Sequence, residues 1–231
     1  MLSGVPECDT LDTMFKIAAA LCLPLAAFAQ TARPVPVDNA YVHVIDALDQ
    51  PHSKGRMHQH KVNRVMIYLT KCDTRLTYAD GKVENQHWKP NDVAWSPAGE
   101  PHTSENPNDA ACHIIEIELK PGEGRKPVPA GPLDPVKVDP KRYQVLLDNA
   151  QVRVLRATYA PHDTGVLHQH DRDRVTVYLT DSELRITGAD GKVETRRTQR
   201  GQAGWGGVAK HQEQNVSATP FEVIAVELKD R

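Results

Sequence analysis

Residues 55–64 read GRMHQHKVNR, and residues 165–174, which lie 110 positions later, read GVLHQHDRDR. Each stretch holds two histidines one residue apart and an arginine four positions after the second histidine. On a β-strand, residues two apart point to the same side, so both imidazoles of each pair can face one common space. The same candidate site therefore occurs twice in the chain.

The repeat extends well beyond these stretches. Residues 38–84 and 148–194 are identical at 25 of 47 positions without a gap. Between the two halves, residues 121–140 contain six prolines, which cannot donate ladder hydrogen bonds and favour an extended connector. The sequence predicts two domains, residues 30–120 and 141–231, joined by a proline-rich linker at residues 121–140.

Each half has the pattern of a β-protein. Residues 153–159, 174–180 and 184–187 alternate or cluster branched and aromatic side chains, which predicts strands. Asp-Gly pairs at residues 80–81 and 190–191 indicate tight hairpin turns. Short strands separated by glycine and proline, in units of about ninety residues, predict small antiparallel barrels or sandwiches.

The N-terminus has the layout of a secretory signal peptide. Residues 14–30 read MFKIAAALCLPLAAFAQ, with one lysine, an apolar run and Ala-Phe-Ala before Gln30. We expect cleavage after Ala29 and a periplasmic or secreted protein, with Met14 as the true start. Residues 1–13 have no place in such a signal, and a short anchor that is never removed is the alternative.

Charge and cysteine content restrict the partners. Without residues 1–29 the chain holds 27 basic and 27 acidic residues, and a neutral surface without blocks of like charge argues against nucleic acid or an anionic membrane. No later apolar stretch is long enough to span a bilayer. Cys72 and Cys112 remain, and two thiols in an oxidising compartment tend to pair. A small molecule is the expected partner, and the sequence says nothing of the oligomeric state.

Each half adds a third histidine. His102 lies in WSPAGEPHTSEN, 42 residues after His60, and His211 lies in WGGVAKHQEQN, 41 residues after His170. Three neutral imidazoles can hold Fe, Zn, Mn or Cu and leave positions open for water or substrate. These six histidines are candidate ligands for a divalent metal ion, and the resemblance described next implies two sites: His58, His60 and His102, and His168, His170 and His211.

With these motifs the sequence resembles the cupin superfamily, twice, over nearly all of the expected mature chain. One family motif is a glycine, then H-x-H, then a glutamate; the other is G-x5-P-x-G-x2-H-x3-N. Residues 97–106 fit the second motif well, whereas the second half lacks its proline and is one residue shorter. The resemblance implies an all-β bicupin of two tandem jelly-roll barrels, preceded by a signal peptide. It also implies one site in each barrel mouth, and the altered turn predicts that the second site binds metal more weakly.

The glutamate of the first family motif is replaced by Arg64 and Arg174, and no acidic residue simply takes its place. A metal ion beside an arginine would make the pocket strongly positive. Two like unit charges about 4 Å apart repel each other by roughly 4 kcal/mol at an effective dielectric constant of about 20. If these arginines point inward, we expect them to bind a carboxylate or phosphate of the substrate beside the metal. The alternative is an ion pair at the barrel rim.

The jelly-roll resemblance also implies a disulfide. In that topology the strand after the H-x-H turn lies beside the last strand, which brings Cys72 near Cys112.

Two functions are compatible with the motifs: a metalloenzyme of dioxygenase, lyase or isomerase type acting on a small anionic or oxygenated metabolite, or a non-catalytic periplasmic cupin that binds a ligand or metal. Candidates for a general base are His52, His162 and Glu100.

Overall fold

The structure is a computed structural model that describes residues 35–230. The predicted signal peptide and its cleavage site lie outside that range. The described residues are nearly all β, with one short helix. In this range no helix is long and apolar enough to cross a membrane.

The first half forms a barrel of two antiparallel sheets. One has the strand order β1-β2-β8-β3-β6 and the other β5-β4-β7. The strands are β1 Val37–Asp38, β2 Val42–Asp49, β3 Arg64–Tyr68, β4 Cys72–Tyr78, β5 Val83–Trp88, β6 Asp92–Ser96, β7 His102–Glu105 and β8 Cys112–Leu119.

The second half repeats this plan, with sheet orders β15-β12-β17-β10-β9 and β11-β16-β13-β14. Its elements are α1 Pro135–Val138, β9 Tyr143–Asp148, β10 Val152–Tyr159, β11 His168–His170, β12 Arg174–Tyr178, β13 Ser182–Gly188, β14 Val193–Thr198, β15 Ala203–Gly206, β16 Ala209–Asn215 and β17 Phe221–Leu228. Strands β10, β12 and β13 lie where the sequence predicts strands.

The Asp-Gly pairs close equivalent hairpins in the two barrels. Strand β4 pairs with β5, and β13 pairs with β14. Gly81 and Gly191 have φ angles of 87° and 78°, a left-handed conformation that glycine adopts without steric cost.

The two barrels share a hydrophobic core between their five-stranded sheets. On β3, Val65 and Ile67 belong to a buried cluster that includes Val175 and Val177 of β12, whereas Met66 belongs to a separate cluster within the first barrel. Alternate residues of a strand face opposite sides, so β3 is buried on both faces. The halves are thus joined by an extensive apolar contact in addition to the linker.

The proline-rich linker packs on the second barrel. The amide of Val128 donates to the carbonyl of Lys229 at 2.7 Å, and the amide of Gln169 donates to the carbonyl of Leu133 at 2.8 Å. The linker also contains α1, which contacts β9 and β11. Its prolines favour extended backbone, and the backbone groups of Val128, Gly131 and Leu133 pair with the second barrel, so this part of the linker lies on the surface of that barrel.

A disulfide joins Cys72 to Cys112, with their Cα atoms 5.1 Å apart. Cys112 is the first residue of β8, as the resemblance implies. Cys72 is the first residue of β4, whereas the resemblance implies that it ends the strand after the H-x-H turn. The bond therefore links the two sheets of the first barrel. Ser182 and Phe221 begin the corresponding strands of the second barrel.

Candidate metal centres

Backbone pairing brings three histidines together in each barrel. His58 and His102 exchange two backbone hydrogen bonds of 3.0 and 2.9 Å, and His168 on β11 is paired with His211 on β16. The remaining histidine of each H-x-H motif lies two residues further on and faces the same side. In each group the nearest ring nitrogens all lie within 4.8 Å of one another: His58, His60 and His102, and His168, His170 and His211.

Hydrogen bonds to backbone carbonyls set the tautomer of the histidines in the first barrel. His58 Nδ1 lies 2.8 Å from the carbonyl oxygen of Arg56, and His102 Nδ1 lies 2.9 Å from that of Glu100. A carbonyl oxygen only accepts, so Nδ1 carries the hydrogen and Nε2 keeps its lone pair. His168 Nδ1 makes the same contact, at 2.8 Å, with the carbonyl of Val166.

Two carboxylates orient the remaining H-x-H histidines. Glu118 Oε1 lies 3.3 Å from His60 Nδ1, and Glu227 Oε1 lies 3.1 Å from His170 Nδ1. Burial raises the pKa of Glu227, but the hydrogen bond from His170 and the charge of Arg153 outweigh it and hold the pKa below its ordinary value. Carboxylates in this position fix ring orientation and strengthen a histidine as a metal ligand.

The sequence reasoning missed Glu118 and Glu227, although a signal was present. Residues 117–120 read IELK and residues 226–229 read VELK, at matching positions of the two halves. Strand pairing shows their role, because Arg64 is opposite Glu118 and Arg174 is opposite Glu227.

The environment keeps several of these imidazoles uncharged. Burial, aided by the charge of Arg64, lowers the pKa of His60 to about 4, and burial lowers the pKa of His211 to about 4 as well. Burial also lowers the pKa of His102 and of His170. Metal ions bind the neutral imidazole, so these residues are suited to hold one near neutral pH.

One ring nitrogen in the second barrel has no hydrogen-bond partner. Among the described residues, His211 Nε2 is the buried side-chain nitrogen or oxygen that remains unsatisfied. Leaving a buried polar atom unpaired is costly. A metal ion bound among the three histidines would satisfy it, so this donor set fits a divalent cation.

Arg64 points inward and is ion-paired there. Its Nη1 lies 2.6 Å from Glu116 Oε2 and 2.5 Å from His60 Nε2, and its Nε donates to Ser96 Oγ at 3.2 Å. The inward orientation and the ion pair, which the sequence reasoning set against each other, occur together. The sequence predicts that an anionic ligand compensates the charge of Arg64, but in the structure Glu116, which the sequence did not identify, has this role.

Arg174 is also buried but has different partners. Its Nη1 donates to the carbonyl of Gly207 at 2.6 Å, and no carboxylate oxygen within residues 35–230 lies within 4.0 Å of its guanidinium nitrogens. Ala225 occupies the strand position that corresponds to Glu116. Burial lowers the pKa of Arg174 below its ordinary value, because the charge is only partly compensated nearby.

All three histidines of the first cluster line a cavity of about 610 Å³. In the second barrel His170 and His211 line a cavity of about 560 Å³, and His168 is buried behind its wall. The first is acidic, because its charged lining residues are one arginine and four carboxylates: Arg64, Asp49, Glu84, Glu100 and Glu116. The second is basic, with four cations and two carboxylates: Arg174, Lys192, Arg196, Lys210, Glu194 and Glu213. Of the three candidate bases, Glu100 lines a cavity, whereas His52 and His162 lie in exposed turns with φ of 55° and 59°.

No protein-family model matches the sequence, and no curated protein matches it. Among solved structures, AerE from Microcystis aeruginosa aligns with 88% of this chain and 99% of its own, at 13% identity and a TM-score of 0.58. Oxalate decarboxylase from Bacillus subtilis, in a structure at pH 4.6, aligns with 83% of this chain and 70% of its own, at 12% identity and a TM-score of 0.56.

The chain has the bicupin fold. A cupin domain from Bordetella pertussis Tohama I also aligns, at 25% identity over 38% of this chain and 90% of its own, but its TM-score of 0.36 is too low to support a conclusion. At these identities the matches to the two longer structures show the architecture of the bicupin and not its reaction.

Proposed function

We propose that the protein is an exported, metal-dependent bicupin enzyme that acts on a small anionic metabolite, with one divalent ion in each barrel. One observation carries the proposal: in each barrel three histidine nitrogens lie within 4.8 Å of one another. The ligands would be His58, His60 and His102 in the first barrel and His168, His170 and His211 in the second.

Imidazole ligands suit Fe, Zn, Mn and Cu. The Bacillus subtilis oxalate decarboxylase has Mn(II) centres, which makes manganese the first ion to test. A bound ion would polarise a substrate oxygen or support redox chemistry. Reactions of dioxygenase, lyase or isomerase type are compatible with such a site.

The second cavity is the better place for an anionic substrate. Arg174, Lys192, Arg196 and Lys210 line it, and a cavity lined mainly by cations raises the local concentration of anions. Arg174 can offer a carboxylate two parallel N–H donors. Substrate binding would bring that carboxylate close to the histidine cluster, because His170, His211 and Arg174 line the same cavity.

A second function is favoured by the first cavity. There Arg64 is already paired with Glu116, and the acidic lining disfavours anions. A barrel of this kind suits non-catalytic binding of a metal ion or of a cationic or neutral ligand. In that case the protein would be a periplasmic binding cupin.

Metal analysis is the first test of the proposed function. Protein purified from the periplasm should begin at Gln30 and contain about two equivalents of divalent metal. His58→Ala/His60→Ala and His168→Ala/His170→Ala should each remove one equivalent, because each pair belongs to one cluster, and circular dichroism should show an intact fold. Wild-type protein without metal after growth in metal-supplemented medium would refute the proposal.

Turnover separates the enzyme from the binding protein. Metal-loaded protein should be screened with small carboxylates, beginning with oxalate. We expect the reaction to survive in the His58→Ala/His60→Ala variant and to disappear in the His168→Ala/His170→Ala variant. Saturable binding of a carboxylate without turnover would support the binding protein instead.

A further inference from the structure

The linker contacts the strand that carries two histidines of the second barrel. That strand, β11, lies at the end of its sheet, with β16 as its neighbour on one side. The amide of Gln169, the central residue of β11, donates to the carbonyl of Leu133 at 2.8 Å. Just after β11, the carboxylate of Asp171 accepts a hydrogen bond from the amide of Gly131 at 2.8 Å. Linker residues therefore hold the histidine-bearing strand from outside the sheet.

A chain of buried ion pairs starts from the same part of the linker. Asp134 precedes α1, and its carboxylate accepts hydrogen bonds from both terminal nitrogens of Arg153 on β10, at 3.2 and 2.5 Å. Arg153 Nε donates to Glu227 Oε2 on β17 at 2.8 Å. All three side chains are buried, where charges are poorly screened. The guanidinium is thus held between a linker carboxylate and a barrel carboxylate.

The chain of ion pairs ends at a metal-binding histidine. Glu227 keeps its other oxygen, Oε1, for His170 Nδ1, which lies 3.1 Å away. Arg172 adds a second connection, because its Nε donates to the carbonyl of Val128 at 2.8 Å and its Nη1 lies 3.5 Å from Glu227 Oε2. The orientation of this carboxylate towards His170 therefore depends on two arginines that the linker holds.

The first barrel lacks these additional contacts. Glu118 lies beside His60 in the same way, but within residues 35–230 no lysine or arginine nitrogen lies within 4.0 Å of its carboxylate. The positions that correspond to the two arginines are occupied by His43 and Val62. The repeat thus supplies a histidine–carboxylate pair in both barrels, and the linker supports only the second pair.

We propose that Asp134 and Arg153 are positioning residues of the second metal site, and that linker docking and metal binding at that site are energetically coupled. This inference rests on the metal sites of the proposed function. If the linker left the barrel, Arg153 would lose Asp134, and Glu227 would no longer be fixed towards His170. Loss of such an outer partner weakens a histidine as a metal ligand. Because coupling is reciprocal, a bound ion would in turn hold the linker on the barrel.

The first test measures metal affinity in the full-length His58→Ala/His60→Ala protein, in which only the second site is left. Mn²⁺ is the probe, and electron paramagnetic resonance of the free ion gives the Kd. Asp134→Asn keeps an acceptor for the first turn of α1 but loses the charge that holds Arg153. We expect the Kd for Mn²⁺ to rise about tenfold, at the lower end of the 10- to 100-fold losses typical for outer partners of a metal ligand.

Arg156→Gln is the matched control. Arg156 lies on the same strand as Arg153 and is ion-paired with Glu222 at 2.6 Å, at the opposite end of β17 from Glu227. Its Kd for Mn²⁺ should stay within about twofold of the parent value, because this ion pair does not reach the histidine cluster. Arg153→Lys covers the case in which Asp134→Asn fails to fold. It should also raise the Kd, since an ammonium group lacks the planar fork that holds both carboxylates.

Hydrogen exchange followed by mass spectrometry tests the reciprocal effect. In the His58→Ala/His60→Ala protein, saturating Mn²⁺ should slow exchange of the amides in residues 128–139 about tenfold, the same factor as the change in Kd. This slowing should be lost in the Asp134→Asn variant. A residue that only stabilised the barrel would change linker exchange equally with and without the ion.

Unchanged Mn²⁺ affinity in a folded Asp134 or Arg153 variant, or linker exchange that Mn²⁺ does not slow, would overturn this inference and leave the proposed function intact. Absence of Mn²⁺ binding in both the His58→Ala/His60→Ala protein and wild type would overturn the proposed function and this inference together. The two failures are therefore distinguishable.

Discussion

The two barrels have the same strand plan and the same three-histidine cluster, yet their sites differ in access and charge. His58 is exposed at the first site, whereas its counterpart His168 is completely buried. Arg64 is paired with Glu116, whereas Arg174 has no carboxylate oxygen within 4.0 Å in the described chain. Duplicated histidines can thus be combined with surroundings of opposite charge.

The placement of buried carboxylates differs at two pairs of positions on corresponding strands. Glu116 on β8 is replaced by Ala225 on β17, and Ser104 on β7 is replaced by Glu213 on β16. The first exchange removes a carboxylate from the second barrel, and the second exchange adds one there, two residues after His211. A buried charge has large effects because the interior screens it poorly, so these two exchanges change the electrostatic surroundings of the two histidine clusters.

The largest effect that we expect from the comparison concerns stability, because only the first barrel has a disulfide. Cys72→Ser/Cys112→Ala opens a link between residues 40 positions apart and should lower the free energy of unfolding by about 4 kcal/mol through loop-closure entropy. Urea denaturation measures the loss. Ser182→Ala, at the matching position of the second barrel, should cost far less. Equal denaturation midpoints for oxidised and reduced wild type would contradict the expectation.

A smaller effect should separate the arginines. Arg174→Gln should weaken oxalate binding to manganese-loaded protein about tenfold, the loss expected for a charge-assisted hydrogen bond. Arg64→Gln should leave that binding nearly unchanged but destabilise the first barrel, because it leaves Glu116 buried without its partner. Isothermal titration calorimetry and urea denaturation distinguish the outcomes. Equal losses of oxalate affinity would show that the cavities do not differ in this respect.

A further effect concerns pH. His60 and His211 have pKa values lowered from 6.5 to about 4, so between these values the unfolded chain binds more protons than the folded chain. Stability of the metal-free protein should therefore be complete above pH 6.5 and fall as the pH decreases towards 4. Urea midpoints at pH 7 and pH 5 measure this decrease.

His60→Gln and His211→Gln should each make the pH dependence shallower, one acting in each barrel. His162→Asn is the control, because His162 is exposed and asparagine tolerates its left-handed backbone. A pH dependence that the control reduces as much as the two test variants would show that these buried histidines are not its source.

The repeat explains how much of this could be predicted from the sequence. The all-β class, the hairpin turns and the six histidines rest on motifs that occur twice, and the IELK and VELK segments show that a further repeated pair was available. Glu116 and Glu213 occur once each, on strands with nothing unusual in their local pattern. Their proximity to the histidines depends on strand register across the barrel, which local sequence does not encode.

The hydrophobic core between the two barrels could not be predicted from the sequence for a different reason. Val65, Met66 and Ile67 form an uninterrupted apolar run, and such a run does not tell whether a strand is buried on one face or both. The prolines of the linker indicate extended backbone correctly, but they carry no information on the surface that the backbone covers.

Through the apolar contact between them, the two barrels pack against each other as two subunits of a dimer would, but within one polypeptide. A first barrel expressed alone would expose Val65, Ile67, Ile115 and Ile117 to water, a face that the second barrel covers in the whole chain. Two separate copies would have to meet by diffusion, whereas the tether raises their effective concentration to the millimolar range. Covalent linkage also removes the requirement that both partners be identical, and that freedom allows one barrel to become acidic while the other becomes basic.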